Sequence, residues 1–326
     1  MKNKPIILVS GEPYSIFFEI FFKSLKKRKI KNISNPIILI ASKKLLIAQM
    51  KLLNYKFKIV DISLGNLNLN KINNKRINII NVNFKFKKTF DKISSRSNLY
   101  IEKCCNTALK VLNKTSSKIL INGPVSKEFF LKNKYPGMTE FFASKLGKKN
   151  KEVMLIYNKK NSVSPLTTHF PLKKIFNKIT TNKIISNVKT IQNFYLKYLN
   201  KSPSFAITGL NPHNESFDKF NEEKKIIIPA IKKLKNSKIN INGPFPSDTI
   251  FLKNNLGRFD VVVGMYHDQV LAPIKSIYGF DAINITLGLP FLRITPDHGP
   301  NSSMLGKNKS NPLSLIKTLE FAKKIK

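Results

Sequence analysis

Phe259-Asp-Val-Val-Val-Gly-Met-Tyr-His-Asp-Gln269 decides how the rest of the chain is read. Its apolar, β-branched centre is short, ends at a glycine, and leads at once into Tyr266, His267 and Asp268. A run of that length and composition reads as a strand buried in a parallel sheet. His267 and Asp268 then stand at a strand's carboxyl end, the edge where open α/β sheets bind ligands. Further on, to Gly299, come Lys275, Asn284, Arg293, Asp297 and His298. No other part of the sequence concentrates so much chemistry.

Outward from this segment, strand-length apolar runs recur at Ile6–Val9, Ile37–Ile40, Lys58–Val60, Ile77–Val82, Lys118–Ile121, Val153–Tyr157, Val163–Thr167, Phe205–Thr208, Asp260–Val263 and Ile283–Thr286. Helical patterns lie between many of them, at Ser15–Leu25, Lys43–Leu53, Tyr100–Leu112, Asn182–Leu199, Asn221–Leu234 and Leu313–Ile325. The alternation predicts an α/β fold with a largely parallel sheet. The polar stretch from Asn66 to Lys88 reads as a surface loop and edge strand, and there is no internal repeat or long linker.

With 326 residues the chain can bury a sizeable core, in one large or two medium domains. No apolar run approaches the roughly 20 residues that span a bilayer. The greasy N-terminal run is broken by Gly11-Glu-Pro13 and carries Glu19, so it lacks a signal-peptide core, and a cytoplasmic location is expected. Cys104 and Cys105 are adjacent within a helical pattern, which suits reduced residues and neither a disulfide nor a CxxC metal site. The formal charge of +40 would suit nucleic acid or an anionic membrane. The lysines, however, are spread through every segment and no nucleic-acid reader motif is present, so neither specific nucleic-acid binding nor membrane attachment is expected. With only 18 acidic residues, a carboxylate beside a histidine becomes conspicuous.

Ser10-Gly-Glu-Pro13 follows the first strand and reads as a phosphate cradle or as a tight turn into the next helix. A GxGxxG dinucleotide fingerprint is absent from the chain. In Gly137-Met-Thr-Glu140, Thr139 reads as a helix N-cap whose free N–H groups suit an anion. His169, His213 and His267 each lie just beyond an apolar run, which brings three imidazoles to one edge of a parallel sheet; three histidines with open positions form a catalytic metal site. Asp248, in the Pro-bounded Pro244-Phe-Pro-Ser-Asp-Thr249, reads as a general base or as the cap of a following helix.

Taken together and in this order, these motifs resemble the 4-hydroxythreonine-4-phosphate dehydrogenase family of pyridoxal phosphate biosynthesis. The resemblance rests on Gly11-Glu-Pro13, Asn122-Gly-Pro-Val125 with Lys127, Thr139-Glu-Phe141, Thr167-Thr-His-Phe-Pro171, Gly209-Leu-Asn-Pro-His213, Gly243-Pro-Phe-Pro-Ser-Asp-Thr249, Met265-Tyr-His-Asp-Gln269, Asn284-Ile-Thr-Leu-Gly-Leu-Pro290 and Asp297-His-Gly299. It implies a fold like isocitrate and isopropylmalate dehydrogenases, two α/β domains with the active site in the cleft, here residues 1–130 with 300–326 and residues 131–299. It implies a divalent metal (Zn, Mg or Co) on His169, His213 and His267, the last reaching across a homodimer interface. It also implies substrate contacts from Thr139, Lys275, Asn284 and Arg293, and NAD or NADP bound without a Rossmann fingerprint at Asp297, His298 and Gly299. The phosphorylated substrate, 4-phosphooxy-L-threonine, would be oxidised at C3 with Asp248 or Asp268 as base, then lose CO₂ to give 3-amino-2-oxopropyl phosphate. The sequence departs from the family at Met138, where a histidine is usual, after Pro13, and after Gly299, where Pro300-Asn301 replaces small residues. A thioether cannot donate a hydrogen bond as an imidazole does. Met138 therefore raises the alternative of a paralogue acting on threonate or erythronate 4-phosphate. A basic nucleic-acid-binding protein and a noncatalytic scaffold are the readings from other classes.

Overall fold

The computed structural model describes residues 4–27, 30, 32–65, 67–69, 72–132, 134–148, 151–215, 220–279 and 281–325. Two compact units result, Met1–Met138 with Pro290–Lys326, and Thr139–Leu289.

In the first unit, β1 (Ile6–Val9), β2 (Ile37–Ala41), β3 (Ile59–Asp61), β4 (Ile77–Asn81), β5 (Ile119–Asn122) and β12 (Leu292–Pro296) run in the order β3-β4-β2-β1-β5-β12. All pairings between these neighbours are parallel. β1, β2 and β5 are buried along their whole length, which is why they read as unbroken apolar runs. β4 is an inner strand between β2 and β3, so the expectation of an edge strand fails in this stretch; Ile77, Ile79 and Ile80 are buried there. Residues 66 and 70–71 of the stretch lie outside the described residues.

The helix α1 (Phe17–Leu25) is apolar on nearly every side and is buried accordingly. Phe22 meets Tyr55 with ring centroids 5.3 Å apart, and Phe17 stacks on Phe21 at 6.2 Å. Each such phenylalanine contributes roughly 1.5–3 kcal/mol by leaving water. Glu19, buried on α1, accepts from Lys23 Nζ at 2.9 Å and from Ser310 N at 2.5 Å, which ties the C-terminal segment to this unit. The helices α2 (Lys43–Leu52), capped by Ser42, and α3 (Asn98–Thr115) follow the predicted patterns. Cys104 and Cys105 are buried free thiols on α3, and burial pushes Cys104 far above the ordinary thiol range.

In the second unit, β6 (Val153–Tyr157), β7 (Ser162–Pro165), β8 (Phe205–Thr208), β9 (Ile241–Phe245), β10 (Val261–Gly264) and β11 (Ile283–Leu287) run in the order β11-β6-β7-β10-β8-β9. β7, β10, β8 and β9 are mutually parallel, whereas β6 is antiparallel to both its neighbours. Helices α4 (Met138–Lys145), α5 (Thr181–Phe194), α6 (Ile228–Asn236) and α7 (His267–Tyr278) belong to this part of the chain, and α8 (Leu313–Lys324) closes the sequence. Val270, Leu271 and Ile274 of α7 pack into one cluster with Val163 of β7, Ala206 of β8 and Val262 of β10. That packing fixes the start of α7 over the carboxyl ends of three adjacent parallel strands. No helix among the described residues is long and apolar enough to cross a membrane.

Candidate active site

The three histidines follow β7, β8 and β10, whose spatial order is β7-β10-β8. The shared strand edge inferred from the sequence is therefore present in the second unit. The ring centroids of His169 and His267 are 5.7 Å apart, both within one chain. His267 is the first residue of α7, and its Nδ1 lies 2.6 Å from Asp268 Oδ1. His169 Nδ1 lies 3.4 Å from Glu140 Oε1, and Thr168 Oγ1 donates to the same oxygen at 2.8 Å. In a neutral ring, a carboxylate against Nδ1 selects the tautomer protonated at that nitrogen and leaves the lone pair on Nε2. This is the arrangement metal-ligating imidazoles use, the second nitrogen donating to a carboxylate.

Burial alone would raise the Glu140 carboxyl. The hydrogen bond and charge of His169, with Thr168, outweigh it together and hold the group below its ordinary value. Glu140 was legible only as part of a motif; among few acidic residues, one that folds back onto a histidine is the signal that marks it.

His213 sits on an exposed turn, Pro212–Asn214, with φ of 53°. A non-glycine residue in the left-handed region is uncommon, and such conformations gather at functional sites. Among the described residues, no three or more His, Cys, Asp or Glu side chains are gathered as a metal would need. The donor chemistry of His169 and His267 thus fits two ligands of a divalent metal, and His213 is not closed onto them.

Thr139 is the second residue of α4, not its N-cap, because the helix already begins at Met138. Its buried hydroxyl meets Thr286 Oγ1 of β11 at 3.1 Å. Two residues before Thr286, the Oδ1 of Asn284 is buried with no hydrogen-bond partner among the described residues, an acceptor left over for a ligand. Lys275 is exposed in the last turn of α7. Asp268 is largely exposed, and Asp248 is exposed in a turn after β9. The capping alternative for Asp248 falls, since turns rather than a helix follow it.

In the first unit, Arg293 is buried on β12 and its Nε donates to Asn122 Oδ1 at 2.7 Å. Thr295 Oγ1 donates to the same oxygen at 3.3 Å, so β5 and β12 hold the guanidinium between them. After β12 come Asp297, His298 and Gly299. His298 Nδ1 donates to Gly299 O at 3.1 Å, and its Nε2 is buried without a partner among the described residues. Burial lowers the His298 imidazole from its ordinary value, against the opposing pull of Gly299 and Asp297. A neutral ring with an orphaned acceptor nitrogen fits a hydroxyl of a cofactor. The turn at Gly11 is not a phosphate cradle: Glu12 N donates to Pro124 O, and a Cβ on Gly11 would lie 2.4 Å from that oxygen.

A profile of the family described as pyridoxal phosphate biosynthetic protein PdxA matches residues 32–322. The chain is similar to the 4-hydroxythreonine-4-phosphate dehydrogenase of Sulfurihydrogenibium sp. (strain YO3AOP1), with 37% identity over 321 residues that cover 97% of each chain. The solved structure of the enzyme of that name from Klebsiella pneumoniae matches with a TM-score of 0.82 at 25% identity, over 98% of each chain. A β-decarboxylating dehydrogenase from Thermococcus kodakarensis shares the fold, with a TM-score of 0.52 at 9% identity over 97% of this chain and 81% of that one.

Proposed function

Because this chain belongs to the PdxA family of pyridoxal phosphate biosynthetic proteins, we propose that it oxidises 4-phosphooxy-L-threonine at C3 with NAD(P). It is an oxidoreductase of pyridoxal phosphate biosynthesis, and a nicotinamide cofactor is the hydride acceptor. The observation that carries the site assignment is the pair His169 and His267, each with a carboxylate on Nδ1, at the carboxyl ends of neighbouring parallel strands.

Nε2 of His169 and of His267 would hold a divalent metal (Zn, Mg or Co), with His213 as third ligand, and the ion would supply Lewis-acid polarisation of the C3 hydroxyl. Glu140 and Asp268 keep the two rings in the right tautomer. Asp268 also offers its second oxygen to the hydroxyl proton as hydride leaves C3 for the nicotinamide. Asp248 is the alternative acceptor, and Asp→Asn variants at each position separate the two through the acid limb of the pH profile. Asn284 and Thr139 would orient the substrate, and Lys275 and Arg293 its anionic groups, Arg293 by a pre-set guanidinium fork. His298 Nε2 would accept from the cofactor, with Asp297 and Gly299 on the same loop. The 3-keto acid so formed loses CO₂ readily, giving 3-amino-2-oxopropyl phosphate.

The ligand set left open in one chain supports a homodimer whose interface completes the site. Light scattering that gives a monomer mass would remove that part. NAD(P)H formation on 4-phosphooxy-L-threonine, threonate 4-phosphate and erythronate 4-phosphate tests the substrate assignment. The first should be preferred; preference for either of the others would transfer the chain to a paralogous activity and implicate Met138.

A further inference from the structure

Glu223 is 1% exposed, and its carboxylate is spent on the loop that carries His213. Oε1 accepts from Leu210 N at 2.7 Å and from Asn211 N at 2.9 Å, and Oε2 accepts from Asn211 Nδ2 at 2.9 Å. Gln269 is buried on α7, two residues beyond His267. Its Oε1 accepts from Met265 N at 2.7 Å and from Thr208 Oγ1 at 2.9 Å, while Nε2 donates to Gly209 O at 2.7 Å. One amide therefore joins the end of β10 to the end of β8, four residues before His213. The loop is also threaded tightly: a Cβ on Gly209 would lie 2.0 Å from Asn214 Oδ1 and 3.2 Å from Glu223 Oε1. His213 and Asn214, with φ of 53° and 63°, form a left-handed pair at its tip. A loop free to relax would not keep two non-glycine residues there, so the hydrogen bonds behind it hold the conformation. A buried carboxylate is costly unless its lone pairs are used, and the three donors that use them here all belong to Leu210 and Asn211 of this loop.

We propose that Glu223 and Gln269 are positioning residues that hold the His213 loop, and with it the imidazole, at a fixed place on the carboxyl edge of the sheet. Glu223 fixes the loop's backbone, and Gln269 locks its root to the strand end that launches His267. This rests on the reading of His169, His213 and His267 as ligands of one divalent metal.

The test is Co²⁺ affinity, measured on the full chain by competition with a chelating dye, alongside the melting temperature of the metal-free protein. Glu223→Gln keeps an acceptor for the two backbone N–H groups but turns an amide NH₂ towards Asn211 Nδ2. Gln269→Met removes the bridge at similar volume. Both variants should bind Co²⁺ about 10–100-fold more weakly, the range for loss of a partner behind a metal ligand. Excess Co²⁺ should restore turnover, which a merely structural defect would not allow. Should Glu223→Gln fail to fold, Asn211→Ala deletes only the side-chain half of the clamp on a half-buried loop residue and reads the same quantity. Folded variants with unchanged Co²⁺ affinity, or with lost turnover that metal does not restore, overturn the proposal. His213→Ala distinguishes the two levels. If it weakens Co²⁺ binding while the clamp variants do not, only the clamp is wrong; if it leaves binding unchanged, the metal reading falls and the clamp with it.

Discussion

Replacing Glu140 by Gln separates the metal-positioning role of that carboxylate from its contribution to folding. The carboxylate accepts from Thr168 Oγ1 at 2.8 Å and lies 3.4 Å from His169 Nδ1. Hydrogen bonds to an ionised group contribute about 1.5–3 kcal/mol, neutral ones about 0.5–1.5, so two bonds weakened to neutral cost about 2 kcal/mol. Burying an amide is cheaper than burying a carboxylate, which returns part of this. The net is about 1 kcal/mol, a fall of roughly 2–4 °C in Tm. Metal affinity should respond more strongly. Without the carboxylate the amide NH₂ competes for the Nδ1 position, the ring loses its fixed tautomer, and Nε2 is no longer held as a lone-pair donor. A 10–100-fold rise in Kd is expected, equivalent to about 1.4–2.7 kcal/mol. Isothermal titration with Zn²⁺ or Co²⁺, paired with thermal unfolding of the metal-free chain, measures both quantities. A folded Glu140→Gln protein with wild-type metal affinity would refute the argument.

Three further outcomes follow from the same contacts. The folded Glu140 carboxyl lies below its unfolded value, so the stability it contributes is complete above the unfolded carboxylate pKa and is lost as pH falls through the folded one; urea midpoints should drop more between about pH 5 and about pH 3, the window that starts at the unfolded glutamate value and runs below it, in wild type than in Glu140→Gln. Gly11 has φ of 73° and no room for a Cβ beside Pro124 O, so Gly11→Ala should cost about 2–4 kcal/mol in denaturant unfolding, from left-handed strain plus overpacking. Arg293→Lys keeps the charge but loses the Nε bond to Asn122, and should raise KM for the phosphorylated substrate by about 10–100-fold with a smaller change in kcat; an unchanged KM would remove Arg293 from the substrate site.

Much of the fold was legible because parallel strands buried on both faces leave unbroken apolar runs, as in Ile6–Val9 and Val261–Gly264. β9 and β12 were missed for a shared reason. Ile241-Asn-Gly-Pro-Phe245 and Leu292-Arg-Ile-Thr-Pro296 carry Pro, Gly or a charge that reads as turn or site. β9 can hold them because it is the last strand of its sheet, where fewer ladder bonds are needed. β12 holds Arg293 because Asn122 supplies the acceptor, a contact between residues far apart in sequence. The antiparallel pairings of β6 were equally invisible, since apolar alternation carries no direction. In the site, histidines just past apolar runs announced themselves, whereas Glu140, Glu223 and Gln269 act through tertiary contacts that spacing cannot encode.

The most direct measurement is NAD(P)H absorbance on mixing the protein with 4-phosphooxy-L-threonine, before and after metal is stripped by a chelator. Turnover should vanish on stripping, return when Zn²⁺, Mg²⁺ or Co²⁺ is added back, and be absent from His169→Ala and His267→Ala at any metal concentration. Steady turnover in stripped protein, or in either histidine variant, would contradict the account.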